Sequence, residues 1–364
     1  MSTDQDRPLR VSFVGAGSVL WAYLQVLDRL IPRGLALEGP ICARRREAWA
    51  SVLSRRPGAQ LVTDPLEAVR GADLVVVITP PTSHAQVTAL ALEHGKHVVV
   101  EKPIAMSRSQ AEPLVELARR RELHLLAAPF VQLSPTFRLL WTEVRRGAVG
   151  YVHSARGLYG NAGSPWAAWY HAGGVGPLAE AGIYNLKSLT SLLGPVIAVR
   201  ATETRALPDR HDPDVCHAIL CHEGGALSSV VASQATQRYR RPGLEVYGTE
   251  GTANLLGDDW DPRGIELWRN ETSRWDEYDA IDPTWLWADG LRECVAAVRE
   301  ERAPLQELQQ DLHLLDVIEA ARDSIRTRAS AAVESRFSEL DLTLEPPSGL
   351  QHVHDHTRPP DEQV

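Results

Sequence analysis

The chain has 364 residues, 44% hydrophobic and 23% charged, the balance of a folded protein of about two domains rather than a disordered or fibrous one. Lys and Arg number 38 against 47 Asp and Glu, a net charge of -9, which leaves no basic excess to hold nucleic acid or an anionic membrane. MSTDQDRPLR lacks an apolar signal core and no apolar run approaches the ~18 residues of a membrane span, so a cytoplasmic protein with neither nucleic-acid nor membrane partners is expected.

The first third alternates short apolar runs with helical patterns, which predicts a parallel sheet wound with helices. Val11 to Val14 reads as a buried strand and Ser18 to Ile31 as an amphipathic helix. Leu74 to Ile78 reads as a central strand, Ser83 to His94 as a helix stopped by Gly95, and His97 to Val100 as a further strand. Between the first strand and its helix stands Gly15-Ala16-Gly17-Ser18-Val19-Leu20. Glycines there permit a tight turn and close backbone approach, and a helix N-terminus offers unpaired N–H groups to a pyrophosphate. The third glycine position is Leu20, so the dinucleotide fingerprint is incomplete and rests on its strand-and-helix context.

Cofactor choice turns on the end of the second strand, where an acid would accept the ribose 2′-hydroxyl of NAD. Over Ile41-Cys42-Ala43-Arg44-Arg45-Arg46, placing Ala43 in the acid's position leaves no carboxylate to repel a 2′-phosphate. Arg44 and Arg45 then offer charge-assisted bonds to it, which favours NADP. An alternative alignment ends the strand at Glu38, before Gly39-Pro40, and restores an NAD-type acid; a solvated arginine loop is the bland reading.

From about Tyr151 the rhythm changes. Tyr151 to Tyr159, Val196 to Thr204, Val215 to Cys221, Leu227 to Ser233, Leu244 to Tyr247 and Ile265 to Trp268 read as strands, several without intervening helices, and Glu223-Gly224-Gly225 as a turn. A mostly antiparallel sheet follows. Leu178 to Leu193 is helical in pattern, with Leu186, Leu189 and Leu193 on one face and Glu180, Tyr184 and Lys187 on another. By itself that second face fits either a solvated polar surface or a working one. Helices return at Trp285 to Arg299 and Leu305 to Arg326, and the Pro-rich polar end reads as a disordered tail. The four cysteines, Cys42, Cys216, Cys221 and Cys294, form no C-x-x-C pair, so reduced thiols are expected. Cys216 and Cys221 would point to opposite faces of a strand, and no metal is expected.

At Gly95-Lys96-His97-Val98-Val99-Val100-Glu101-Lys102-Pro103 the motifs become specific. With the G-x-G turn, Thr79-Pro80-Pro81-Thr82-Ser83-His84, the run Gly173 to Tyr184 and Tyr247 to Gly251, the chain resembles the Gfo/Idh/MocA oxidoreductases up to about residue 335. The resemblance implies an α/β protein: an N-terminal Rossmann domain (1–128), a C-terminal α+β domain with a large, mostly antiparallel open sheet that often forms oligomer contacts (129–344), then the tail (345–364). It implies a homodimer or homotetramer acting on a sugar, cyclitol or sugar derivative. It places the cofactor against Gly15, Gly17, Ser18, Val19, Thr79, Pro80, His84, Glu101 and Lys102, with Lys102 beside the nicotinamide. Tyr184 falls where relatives carry histidine or tyrosine, and Glu180 where they usually carry aspartate, a departure that moves a carboxylate by one methylene.

The reaction expected is hydride transfer between NAD(P) and a secondary alcohol or ketone, with Lys102 as base, Tyr184 sharing or relaying the proton and Glu180 orienting hydroxyls. Two rivals are a non-redox enzyme that oxidises its substrate transiently on tightly held cofactor, and an inactive cofactor- or sugar-binding sensor. Ten Trp against four Phe suits aromatic stacking on sugar rings, although packing explains most of them; Trp166 and Trp169 are the candidates for a pocket wall.

Overall fold

The computed structural model describes residues 7–161, 176–207, 212–237 and 242–344. They divide into two compact units, Met1–Leu133 with Leu286–Leu315, and Ser134–Trp285 with Asp316–Val364.

The first unit runs β1 (Leu9–Val14), α1 (Leu20–Leu30), β2 (Ala36–Cys42), α2 (Glu47–Arg55), β3 (Leu61–Val62), α3 (Pro65–Arg70), β4 (Leu74–Val77), α4 (His84–Glu93), β5 (His97–Val100), α5 (Arg108–Arg120) and β6 (Leu125–Ala127). The strands form one sheet in the order β3-β2-β1-β4-β5-β6, every pair parallel. Because helices cover both faces, the central strand β4 is a continuous apolar run with all four residues buried. Leu74 and Val76 go to one core with Val11, Phe13, Tyr23 and Leu27, and Val75 and Val77 to the other with Val98, Val100, Leu92 and Leu114. Helix ends follow local chemistry. Asp64 caps α3 by accepting the Leu66 N–H at 2.9 Å, and the chain leaves α4 through Gly95 at φ 72°.

The second unit begins with α6 (Pro135–Arg145) and β7 (Val152–Gly160). A π-helical turn, Leu178–Gly182, runs directly into α7 (Ile183–Leu193). Then come β8 (Val196–Thr204), β9 (Val215–His222), β10 (Leu227–Ser233), β11 (Leu244–Gly248), β12 (Gly251–Asp258), β13 (Asp261–Arg269) and β14 (Arg274–Asp279). The chain continues through α8 (Gly290–Arg299), α9 (Leu308–Thr327) and β15 (Ala331–Ala332). The sheet has nine strands in the order β14-β13-β12-β11-β7-β10-β9-β8-β15, antiparallel except for β7 with β10. The turn at Glu223-Gly224-Gly225 joins β9 to β10 as expected. On β9, Cys216 is buried and Cys221 half-buried on the opposite face.

Beside the expected division after residue 128, the first unit also takes in a later segment: α8 returns to it, where Leu291, Cys294 and Val295 fill the core that α1 and β1 line, and the second unit boundary falls inside α9. One sequence expectation is corrected, the alternative alignment that ended the second strand at Glu38. β2 passes through Gly39-Pro40 to Cys42, with the register against β1 shifting between Val11 and Phe13 to accommodate the proline, so Glu38 lies inside the strand. There it is ion-paired with Arg56 at 3.1 Å, and burial pushes its carboxyl upward. The calls on Trp166, Trp169 and the tail from 345 lie outside the described residues.

Candidate functional site

In the first unit the strand order reverses between β1 and β4, and the loops leaving the strands' carboxyl ends converge there. They are tied at one level, since each residue just past a strand bonds the last residue of its neighbour. Gly15 N–H donates to the Cys42 carbonyl at 3.0 Å, Ile78 to Val14 at 2.9 Å and Glu101 to Val77 at 2.9 Å. Gly15 has φ 120°, and a Cβ there would lie 2.4 Å from the Ile78 carbonyl oxygen, so only glycine lets the two loops meet. Around Gly17 nothing stands within 4 Å of a Cβ position, and α1 starts without a side-chain cap or an acid in its first turn. Gly17 and Ser18 are exposed and Val19 half-buried. A glycine cradle at the open, uncapped start of a helix fits a pyrophosphate.

One strand beyond β4, the turn after β5 carries Lys102. Glu101 is 7% exposed, and its carboxylate accepts the Tyr23 hydroxyl of α1 at 2.8 Å and the main-chain N–H of Lys102 at 3.1 Å. Tyr23 is itself fixed edge-on to Trp287, ring centroids 5.8 Å apart. On the other side His84 is 1% exposed, its Nδ1 2.8 Å from the Pro103 carbonyl and its Nε2 2.7 Å from the Thr79 carbonyl. Burial pushes the His84 pKa down against the pull of those two carbonyls. Both ring nitrogens are occupied by backbone, so His84 serves the site by bracing the Thr79-Pro80 loop against the Lys102-Pro103 turn. Ser83 closes the same loop, its hydroxyl 2.9 Å from both the Thr79 hydroxyl and the Pro80 carbonyl. Lys102 is only half-buried, accessible at the sheet's carboxyl edge.

Past the end of β2, Ala43 is buried and Arg44, Arg45 and Arg46 are exposed. Among the described residues none of the three pairs with a carboxylate.

In the second unit, Glu180 and Lys187 are 5% and 0% exposed, which rules out the solvated-surface reading of their helix face. The i→i+5 bonding of the Leu178–Gly182 turn also shifts Glu180 away from the face that an uninterrupted α-helix gives. Tyr184 is half-buried and stacks on Tyr159 of β7, centroids 5.8 Å apart and planes 9° from parallel. Two glycines let this helix settle on the sheet: a Cβ at Gly157 would lie 2.6 Å from that of Asn185, and one at Gly182 3.1 Å from that of Ala232. Behind Tyr184, the buried Asp259 carboxylate accepts the Asn185 amide at 2.9 Å and the Ser188 hydroxyl at 3.0 Å.

Tyr23, Trp49, Asn185 and Asp259 were not singled out from the sequence. Only Trp49, an aromatic beside an arginine run, carries a local signal; the others gain meaning from partners 58 to 78 residues away.

Such a sheet, glycine turn and lysine define a dinucleotide-binding enzyme of the doubly wound class. Residues 9–128 match the model of the oxidoreductase family with an NAD-binding Rossmann fold, and residues 137–254 that of the Gfo/Idh/MocA C-terminal domain. The chain belongs to the Gfo/Idh/MocA oxidoreductases, a family of NAD(P)-dependent enzymes. It is 25% identical over 338 residues to trans-1,2-dihydrobenzene-1,2-diol dehydrogenase of Sus scrofa, covering 87% of this chain and 97% of that one. To dTDP-3,4-didehydro-2,6-dideoxy-alpha-D-glucose 3-reductase of Streptomyces antibioticus it is 28% identical over 262 residues, 70% of this chain and 79% of the relative. The fold matches levoglucosan dehydrogenase in complex with NADH and levoglucosan at a TM-score of 0.79 and 18% identity, over 90% of this chain and 100% of that one.

Proposed function

We propose that this protein is an NADP-preferring dehydrogenase or reductase that moves a hydride between the cofactor and a secondary alcohol or ketone of a sugar, cyclitol or related polyol. One observation carries the reading: Lys102 stands at the carboxyl edge of the sheet, two strands from the glycine cradle, on a turn fixed from both sides by Tyr23 through Glu101 and by His84 through Pro103. Support for a polyol substrate comes from relatives named for a dihydrodiol, a dideoxyhexose nucleotide and D-apiose.

Gly15, Gly17, Ser18 and Val19 would hold the pyrophosphate, and Thr79, Pro80 and Glu101 would border the nicotinamide half. When bound, NAD(P) supplies the hydride acceptor or donor at nicotinamide C4. In the oxidative direction Lys102 takes the hydroxyl proton through Nζ as the C–H bond breaks. A lysine does so only when desolvation and neighbouring positive charge bring its pKa below the usual value near ~10.4. Tyr184 would share or relay a proton, Glu180 would accept hydrogen bonds from substrate hydroxyls, and Trp166 and Trp169, outside the described residues, are the candidates to stack on the ring. Arg44 and Arg45 receive the 2′-phosphate, and with Ala43 past the strand end no carboxylate opposes it. We also assign a homodimer or homotetramer, through the sheet face opposite α7, where Ile219 and Leu227 are 53% and 50% exposed.

Fluorescence titration with both reduced cofactors, followed by a turnover screen of sugars and cyclitols with the preferred one, tests the reading. Tighter binding of NADPH and turnover of a polyol are expected. Tighter binding of NADH would overturn the cofactor assignment, and the absence of redox turnover with cofactor retained through purification would favour transient oxidation.

A further inference from the structure

Among the described residues one side chain, that of Trp49, hydrogen-bonds the turn that follows β2. Ala43 donates its N–H to the Val62 carbonyl of β3 at 2.9 Å, and its own carbonyl accepts the indole Nε1–H of Trp49 at 3.0 Å. Trp49 lies on the first turn of α2, where its main-chain N–H donates to the Arg46 carbonyl at 3.0 Å. The Arg46 guanidinium sits over the Trp49 ring, 5.4 Å from its centroid. Trp49 thus grips the segment at both ends, by its indole N–H at Ala43 and by its ring and amide at Arg46, with Arg44 and Arg45 between.

The charges on this turn differ from their neighbours. Arg56, close by, is taken by Asp28 at 2.6 Å and Glu38 at 3.1 Å, and Arg55 lies on the Trp21 ring at 4.3 Å. Arg44, Arg45 and Arg46 have no carboxylate partner among the described residues. Three adjacent guanidinium groups repel one another well within a Debye length of ~10 Å, and an exposed turn carrying them splays unless something closes it. A turn already closed offers its charges to a dianion without first having to order.

We propose that Trp49 is a specificity-determining positioning residue: it holds the Ala43–Arg46 turn in the form that receives the 2′-phosphate of NADP, and so sets the preference of NADP over NAD. This rests on the reading that the arginine turn meets the ribose 2′ position. The ribose diol of NAD does not draw on those charges, so loosening the turn changes one affinity and spares the other.

The experiment is titration of the full chain and of Trp49→Phe with NADPH and with NADH. Phenylalanine keeps an aromatic ring beneath Arg46 and removes the N–H donated to Ala43 together with the second ring of the indole. One hydrogen bond corresponds to roughly a three- to tenfold effect, so NADPH should bind three- to tenfold more weakly while NADH stays within about twofold. Trp49→Ala, which also removes the platform for Arg46, should lower the NADPH-to-NADH affinity ratio further. An unchanged ratio overturns the proposal, and so does equal weakening or loss of both cofactors, which assigns Trp49 to packing. Preference of the wild type for NADH defeats the underlying cofactor reading instead, and is read from the unmutated chain alone.

Discussion

Lys102 is placed by its neighbours. Its main-chain N–H is held by Glu101, Glu101 by the Tyr23 hydroxyl, and the following carbonyl of Pro103 by His84. Replacing Lys102 by alanine removes the proposed base and leaves these bonds in place, so turnover should fall by about 10²- to 10⁴-fold while NADPH titration and melting temperature stay near wild type. An unchanged turnover rate would assign the lysine to structure. In the second unit, Tyr184→Phe keeps the stack on Tyr159 and removes only the hydroxyl, so kcat should drop more than KM rises. Glu180→Gln should act chiefly on KM. Glu180→Asp restores the residue usual in the family. Activity kept or improved shows a tolerated variant, whereas a large loss shows that the surroundings of this buried carboxylate were built around glutamate. Wild-type kinetics in both Tyr184→Phe and Glu180→Gln would remove this helix from the reaction.

At the scale of elements, loops and helices are held by close approaches that tolerate little change. Gly15→Ala places a methyl 2.4 Å from the Ile78 carbonyl in a backbone region that favours glycine, so the β1 and β4 loops must part. The expected cost is about 1–3 kcal/mol, a melting temperature lowered by several degrees, and cofactor affinity lost with it. Full cofactor affinity in that variant would show that the cradle lies elsewhere. Helix α7 depends on Asp259, whose carboxyl burial pushes up to about 7, with the charge of Asp258 adding to the rise against hydrogen bonds from Ser188 and Asn185. The folded chain then keeps this proton at pH values where the unfolded chain, near 3.8, has released it. The contribution of this one group to stability is therefore fully present below pH 3.8 and is lost as pH rises to about 7, by on the order of a few kcal/mol. Asp259→Asn lacks that titration. Its melting temperature should gain on the wild type between pH 4 and pH 8, and a difference that stays flat over that range would place the carboxyl at an ordinary pKa.

The whole chain is folded as two units that each borrow sequence from beyond a simple cut. Leu291, Cys294 and Val295 of α8 complete the core around Tyr23, Leu24 and Leu27, and Leu312 and Leu315 complete the other. A fragment ending at residue 133 leaves those apolar surfaces open, so it should aggregate or melt without a cooperative transition. Joining residues 286–315 to it through a flexible linker should restore a cooperative melt and NADPH binding. A cooperative melt from residues 1–133 alone would show that the returning segment is dispensable.

What the sequence determined by itself was everything carried by short-range pattern. The short, mostly apolar runs of β1, β4 and β5 announce a parallel sheet, Gly15-Ala16-Gly17 a backbone approach, and Glu101-Lys102-Pro103 the turn with the lysine. These signals are local because a strand's burial and a glycine's freedom are properties of a few neighbouring residues. The end of β2 was ambiguous for the same reason, since Gly39-Pro40 resembles a strand terminus until the pairing with β1 carries the chain across it. Tertiary structure alone decided which polar residues are buried and whom they meet. Helical spacing put Glu180 and Lys187 on a face that could be wet, and only tertiary packing made it dry. Tyr23 finds Glu101 and Asp259 finds Asn185 across 78 and 74 residues, through a sheet order and a helix packing that no local window contains.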